Sequence, residues 1–176
     1  VFVAPYVMGA TMQFLKAMVN VDGASVGVVS SDPLEKFPPE IRDRLAGHWR
    51  TDDCLDVDQL THAVSQLQSR LGGVDVLTAI LENIQVPMAQ VRERLGIAGM
   101  GVEAANRFRD KGLMKAAFAE AGVPCARNIR AETADEARQA MAEIAGPVVV
   151  KPLAGMGAQN TFRIDNPEVG EQWLGH

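Results

Sequence analysis

The sequence predicts an α/β protein: a layered, mostly parallel α/β domain followed by a smaller, incomplete α+β part. Three observations predict it. Short apolar runs alternate with helical apolar periodicity over residues 1–97. Gly96, Gly99 and Gly101 then interrupt that alternation. Beyond them the chain reads as helices with one pair of short strands around a glycine loop. A length of 176 residues allows one ordinary domain or two small ones, and the boundary falls between residues 97 and 98.

The opening run Val1-Phe2-Val3-Ala4, closed by Pro5, is a short buried strand, and Met12, Leu15, Met18 and Val19 share a helical face after it. Val26, Val28 and Val29 form the next strand, which stops at Ser30-Ser31-Asp32-Pro33. Phe37-Pro38-Pro39 breaks the chain again before a short helix around Ile41 and Leu45. His48-Trp49-Arg50, with Asp52 and Asp53, matches no metal-ligand spacing and reads as a surface loop anchored by its Trp. Asp56 caps a helix with Leu60, Ala63, Val64, Leu67 and Leu71 on its inner face, and Gly72-Gly73 stops it. Val74 to Ile80 reads as an interior parallel strand, with a helix over Pro87 to Leu95 after it.

In residues 98–176 the pattern becomes two helices around a short strand, then a hairpin. Asp110 starts a helix with Leu113, Met114, Ala117, Phe118 and Ala121 on one side, stopped by Gly122 and Pro124. Thr133 and Glu136 make a capping box for a helix carrying Ala137, Ala140, Met141 and Ile144. Val148-Val149-Val150-Lys151 is a β-branched strand closed by Pro152, and the loop from Leu153 to Asn160 leads to a partner strand, Thr161 to Ile164. Asn166-Pro167 opens a last helix barely two turns long, so this part is expected to continue in a longer protein.

Composition excludes several functions. Seventeen Lys and Arg against twenty-two Asp and Glu give a net charge of -5, the wrong sign for a nucleic-acid or anionic-membrane binder. The excess lies in residues 1–100, with 8 basic and 12 acidic side chains, against 9 and 10 in residues 101–176, so the second part is the better anion binder. Cys54 and Cys125 stand far apart outside any C-x-x-C arrangement and read as reduced thiols. No apolar stretch reaches the ~18 residues of a membrane span, and a cytoplasmic location is expected.

Two places can carry chemistry. Strand alternation puts Val148 and Val150 on one face and Val149 and Lys151 on the other, so Lys151 stands at a strand end beside Gly155 and Gly157. A cation beside a glycine loop suits phosphate oxygens, because the backbone can approach them without a Cβ. The same residues equally describe a hairpin turn with a solvated lysine. Lys111 lies at a helix start, where a cation is mildly unfavourable and an anion shared with the N-terminal N–H groups would explain it. A solvated lysine balanced by Asp110 is the simpler account of those two residues.

The order of these features resembles the ATP-grasp superfamily: Gly96-Ile97, Asp110-Lys111 opening a helix, Ala121-Gly122-Val123-Pro124, a capped helix, then Gly146 to Pro152 and Gly155-Met156-Gly157. Upstream, Leu81-Glu82-Asn83 after an apolar run looks like the domain that precedes ATP-grasp in biotin carboxylase-like and carboxylate-amine ligases. The resemblance implies a pre-ATP-grasp domain over residues 1–97 and a first, partial ATP-grasp subdomain over 98–176. It implies the N-terminal part of a ligase that joins a carboxylate to an amine or similar nucleophile through an acyl phosphate. ATP with Mg2+ is the implied cofactor, and a small-molecule carboxylate the substrate, with homodimerisation common in the family. The alternative is a non-catalytic nucleotide-binding or protein-interaction module.

By the same resemblance Lys111 and Lys151 reach the nucleotide, and Gly155, Met156, Gly157 and Ala158 fold over its phosphates. Ala158, Gln159 and Asn160 stand where many members carry a serine and a further glycine, which removes a hydroxyl contact. Catalytic residues and metal ligands are expected outside this chain, which alone is expected to be inactive. Glu82 at a strand end reads more readily as a helix-start residue than as a cleft residue. Gly99-x-Gly101-x-x-Ala104, with Glu120 about 20 residues on, imitates a dinucleotide fingerprint but follows no strand. His48, His62 and His176 form no triad with a serine or cysteine.

Overall fold

A computed structural model describes residues 1–155, 157 and 159–175. The chain divides into two compact units, Val1–Ala105 and Asn106–His176.

In the first unit β1 (Phe2–Val3), β2 (Gly27–Ser30) and β3 (Gly47–Arg50) form a parallel sheet in the order β1-β2-β3. Parallel neighbours need crossover connections, here α1 (Gly9–Met18) and then α2 (Pro39–Arg42), with α3 (Val57–Leu71) and α4 (Gln85–Leu95) following the third strand. Side chains alternate across the sheet. Phe2 and Val28 therefore enter one core with Leu15, Phe37 and Ile41. Val3 and Val29 enter the other, with Leu60, Val64, Leu67, Met88 and Val91. Both faces are covered, which is why β1 and β2 are apolar at successive positions.

Asp56 caps α3 as the sequence predicts, its Oδ1 accepting the Asp58 and Gln59 N–H groups at 2.9 Å each, and Gly72 ends the helix in the left-handed region at φ 77°. Leu60, Ala63, Val64 and Leu67 are buried from that helix. Gly27 and Gly47 face each other across β2 and β3. A Cβ on Gly27 would lie 3.0 Å from Leu71 Cδ1, and one on Gly47 would lie 3.0 Å from Leu67 Cδ2, so α3 rests directly on the backbone of the two strands.

Three sequence expectations are corrected in this unit. Residues 48–50 are strand rather than loop: His48, Trp49 and Arg50 pair with Val28, Val29 and Ser30. β3 lies at the end of the sheet order with half-exposed polar side chains, so no apolar alternation marks it. Trp49 does anchor the segment, edge-on to His62 at 5.5 Å with the Arg70 guanidinium 4.8 Å over its ring. The run Val74 to Ile80 is not an interior strand. Only Thr78 bridges to Phe2, beside β1, and Val76 is 57% exposed. The Leu77 carbonyl is taken by the Arg92 side chain instead of a further strand. Finally, α4 begins two residues before Pro87, which sits in the first turn where its missing N–H costs no helical bond. The sequence also gave no sign of α5 (Val102–Arg109), in which Ala105 is the buried residue.

The second unit holds α6 (Lys111–Glu120), α7 (Ala134–Ile144), the antiparallel pair β4 (Val148–Val150) and β5 (Phe162–Ile164), and α8 (Pro167–Leu174). The Thr133–Glu136 capping box is formed, and Asn166 Oδ1 accepts the Val169 N–H at 3.0 Å. Arg138 ties α7 to α8, its Nε meeting both Glu171 oxygens at 2.8 and 3.0 Å while Nη1 meets Asp135 at 2.7 Å. The described residues between α6 and α7 form no strand. That segment is held by side chains, with Lys115 Nζ donating to the Ala126 carbonyl at 2.7 Å and Arg127 donating to the Glu143 carbonyl and carboxylate. The apolar side expected for α6 is not buried among the described residues, since Leu113 and Phe118 are exposed.

Asp56→Ala is expected to lower the unfolding free energy by about 1 kcal/mol, measured by urea denaturation. A second cap-like carboxylate follows β2. Asp32 accepts from Lys36 Nζ at 2.6 Å and from the Val7 N–H at 2.8 Å, and these bonds, Lys36 first, hold its carboxyl below the usual range. A depressed carboxyl stabilises the fold above its unfolded-state value and loses that contribution as pH falls through the folded one. The stability gap between the natural protein and Asp32→Asn should therefore be present at neutral pH and close in acid, below the ordinary carboxyl value of about 4.

Candidate functional site

The best-formed constellation lies within the second unit, where the start of α6 meets the loop after β4. Asp110 Oδ1 accepts the N–H groups of Gly112 at 2.7 Å and Leu113 at 3.0 Å, which fixes the first turn of α6. The remaining amide of that turn, on Lys111, donates to the Leu153 carbonyl at 3.1 Å. Lys111 Nζ donates to the same oxygen at 3.3 Å, and Arg109 Nη2 donates to the Ala154 carbonyl at 3.0 Å. Three donors from residues 109–111 thus hold the first two residues of the loop.

This arrangement corrects one expectation. An anion cannot share the N-terminal N–H groups at positions 111, 112 and 113, because each already has a protein acceptor. An anion placed here would have to be held by side chains and by the loop itself.

Lys151 follows the last residue of β4, on the same side of the strand as the exposed Val149. It is exposed and makes no hydrogen bond or ion pair among the described residues. Gly155 packs against the Pro152 ring, where a Cβ would lie 3.1 Å from Cγ. Gly157 sits at φ 59°, in the left-handed region that favours glycine, with open space around the position of a Cβ. Met156 and Ala158, assigned to the same loop by the sequence, lie outside the described residues. The structure therefore joins Lys111 to the loop that begins two residues after Lys151. The Lys151 ammonium itself bonds to none of the other described site residues. Arg109 was missed by sequence reasoning, although two cations flanking a capping aspartate were there to be noticed.

The remaining sequence candidates lie in the first unit. Glu82 is exposed at the start of a single 3-10 turn, Glu82–Ile84. His48 lies on β3, with Nε2 2.7 Å from Ser30 Oγ and its ring edge-on to Phe37, and burial lowers its pKa. Asp53 Oδ1 accepts the Leu55 N–H at 2.7 Å, a turn contact. Among the described residues no cluster of His, Cys, Asp or Glu has the makings of a metal site, and no helix is long and apolar enough to cross a membrane.

The family model described as the carbamoyl-phosphate synthase L chain, ATP binding domain, matches residues 110–169, from the Asp110 cap to the start of α8. Over these residues the chain is similar to the ATP-grasp superfamily. That match covers the Lys111, Lys151 and glycine-loop positions continuously. Among curated relatives, alanine–anticapsin ligase of Bacillus subtilis (strain 168) is 44% identical over 99 residues, which cover 56% of this chain and 21% of that protein. An L-arginine-specific L-amino acid ligase of Bacillus subtilis is 28% identical over 125 residues, covering 68% of this chain and 30% of that protein. The chain thus spans less than a third of either ligase. Among solved structures, the ADP complex of N5-carboxyaminoimidazole ribonucleotide synthetase matches with a TM-score of 0.74 at 16% identity, over 99% of this chain and 42% of that one, a likeness of fold.

Asp110→Ala should cost the second unit about 1 kcal/mol and speed amide hydrogen exchange at Gly112 and Leu113, read by NMR.

Proposed function

We propose that this chain supplies the lysine and glycine-loop side of an ATP site in an ATP-grasp ligase. The ligase joins a carboxylate to an amine or similar nucleophile through an acyl phosphate. In this reading residues 1–97 are a pre-ATP-grasp domain and residues 98–176 a first, partial ATP-grasp subdomain. The observation that carries it is the pair of hydrogen bonds that Lys111 donates, through its N–H and its Nζ, to the Leu153 carbonyl. That contact gathers a second cation to the loop that Lys151 precedes, as an anionic ligand needs. The curated relatives, both named as ligases of amino acids, support the same reading.

The residues present suit a nucleotide's charge. Lys151 has no competing partner among the described residues and offers its whole ammonium. The Lys111 ammonium has three N–H donors, of which Leu153 takes one. Gly157 allows the backbone to approach phosphate oxygens without a Cβ. By position Lys151 would contact the adenine and α-phosphate side, with Lys111 and the loop over Gly155, Met156, Gly157 and Ala158 toward the phosphates. ATP supplies the transferable phosphoryl group, and positioning with charge neutralisation is most of what a protein adds to such a transfer. Mg2+ ligands and the groups that touch the reacting carboxylate are assigned to residues outside this chain. A cytoplasmic setting belongs to the same reading, supported by two free thiols.

ADP titrated into the chain and followed by amide NMR tests this. Lys111→Met and Lys151→Met should each weaken ADP about tenfold, ~1.4 kcal/mol, whereas Lys16→Met in the first unit should leave it unchanged. Equal affinity in all four proteins would remove both lysines from the site. Because Lys151 is exposed and has no partner among the described residues, Lys151→Met should also leave stability within about 0.5 kcal/mol.

A further inference from the structure

Two adjacent side chains of α4 reach forward to the connector that leads into α5. Arg92 is 8% exposed, and its bonds among the described residues all go to carbonyl oxygens. Its Nε and Nη2 donate to Leu77 at 3.1 and 2.6 Å, and its Nη1 donates to Met100 at 3.2 Å. Burying a guanidinium costs several kcal/mol unless its donors are met. Glu93 Oε1 accepts the N–H of Val102, the first residue of α5, at 2.8 Å, and so supplies a cap from outside that helix.

These two side chains also account for the glycines that imitate a dinucleotide fingerprint. Gly99 has φ 145°, and a Cβ there would lie 3.0 Å from both Cδ and Nε of Arg92. Gly101 has an ordinary φ, but a Cβ there would lie 2.9 Å from Glu93 Oε1. Gly99 is favoured by backbone conformation and by the arginine, and Gly101 leaves room for the Glu93 carboxylate where it bonds Val102.

We propose that Arg92 and Glu93 form a clasp that fixes residues 97–102, and with them the first turn of α5, in one conformation. The clasp lies wholly within the first unit and is independent of the nucleotide reading. Its consequence is that the chain enters α5 through a pinned segment, despite carrying two glycines in six residues, a composition otherwise suited to a flexible linker.

Amide hydrogen exchange on the 176-residue chain tests the clasp. Glu93→Ala should speed exchange at Val102 about tenfold, the loss of one capping bond, and leave the core amides of Val28 and Val64 unchanged. Glu93→Gln keeps an acceptor oxygen and should retain the protection. Gly101→Ala should match Glu93→Ala, because the new methyl displaces the carboxylate, and combining the two should add nothing. The clasp is overturned if Glu93→Ala leaves Val102 unchanged, if core amides accelerate with it, or if Gly101→Ala has a further effect in the Glu93→Ala background.

Discussion

The candidate site depends on one hydrogen bond, from the Lys111 amide to the Leu153 carbonyl, between residues 42 positions apart in sequence. It forms because Asp110 has already satisfied the next two amides of α6, leaving Lys111 with the one donor of that turn that needs a partner. Closing so long a loop carries an entropic cost that a single net hydrogen bond of about 1 kcal/mol does not cover. The β4–β5 pairing and the Arg109 contact with Ala154 share that cost. The same bond settles how the site handles charge. The amides of the α6 terminus are spent on protein oxygens, so under the proposed function an anion would be held by lysine side chains and loop amides.

Much of this was legible in the sequence where a local chemical rule coincided with the tertiary outcome. Asp56 with Gly72, Thr133 with Glu136, and Asp110 each bound a helix, because capping is decided within a few residues of the cap. β1 and β2 were legible because both of their faces are buried. β3 was not: His48 and Arg50 carry no strand pattern, and their pairing with β2 is made by backbone groups that the side chains do not advertise. Val74 to Ile80 failed in the opposite direction. Its apolar content reflects Leu77 in the core and Ile80 against the other core, not a ladder partner on both sides.

At the candidate site, the order of motifs pointed to the two lysines and the glycine loop by resemblance, while the residues alone left a solvated lysine and a plain hairpin open. What the sequence lacked was the contact between Lys111 and Leu153, which depends on the fold of everything between them. Arg109 escaped for the same reason, its partner lying 45 positions downstream. Likewise, α5 was hidden because its cap is the Glu93 side chain, nine positions before Val102, where no local capping rule looks.

The contact of α3 with the sheet sets a further constraint. Gly27 and Gly47 stand side by side in β2 and β3, and the leucines at 67 and 71 fill the space that two methyl groups would occupy. These four positions act as a single volume shared between helix and sheet. A methyl group gained at either strand position has to be returned by the helix as a smaller side chain, so substitutions there are tolerated as compensated exchanges and not singly. The distance between α3 and the sheet is thereby recorded in the sequence as the sum of four residue sizes, although no one of them reveals it.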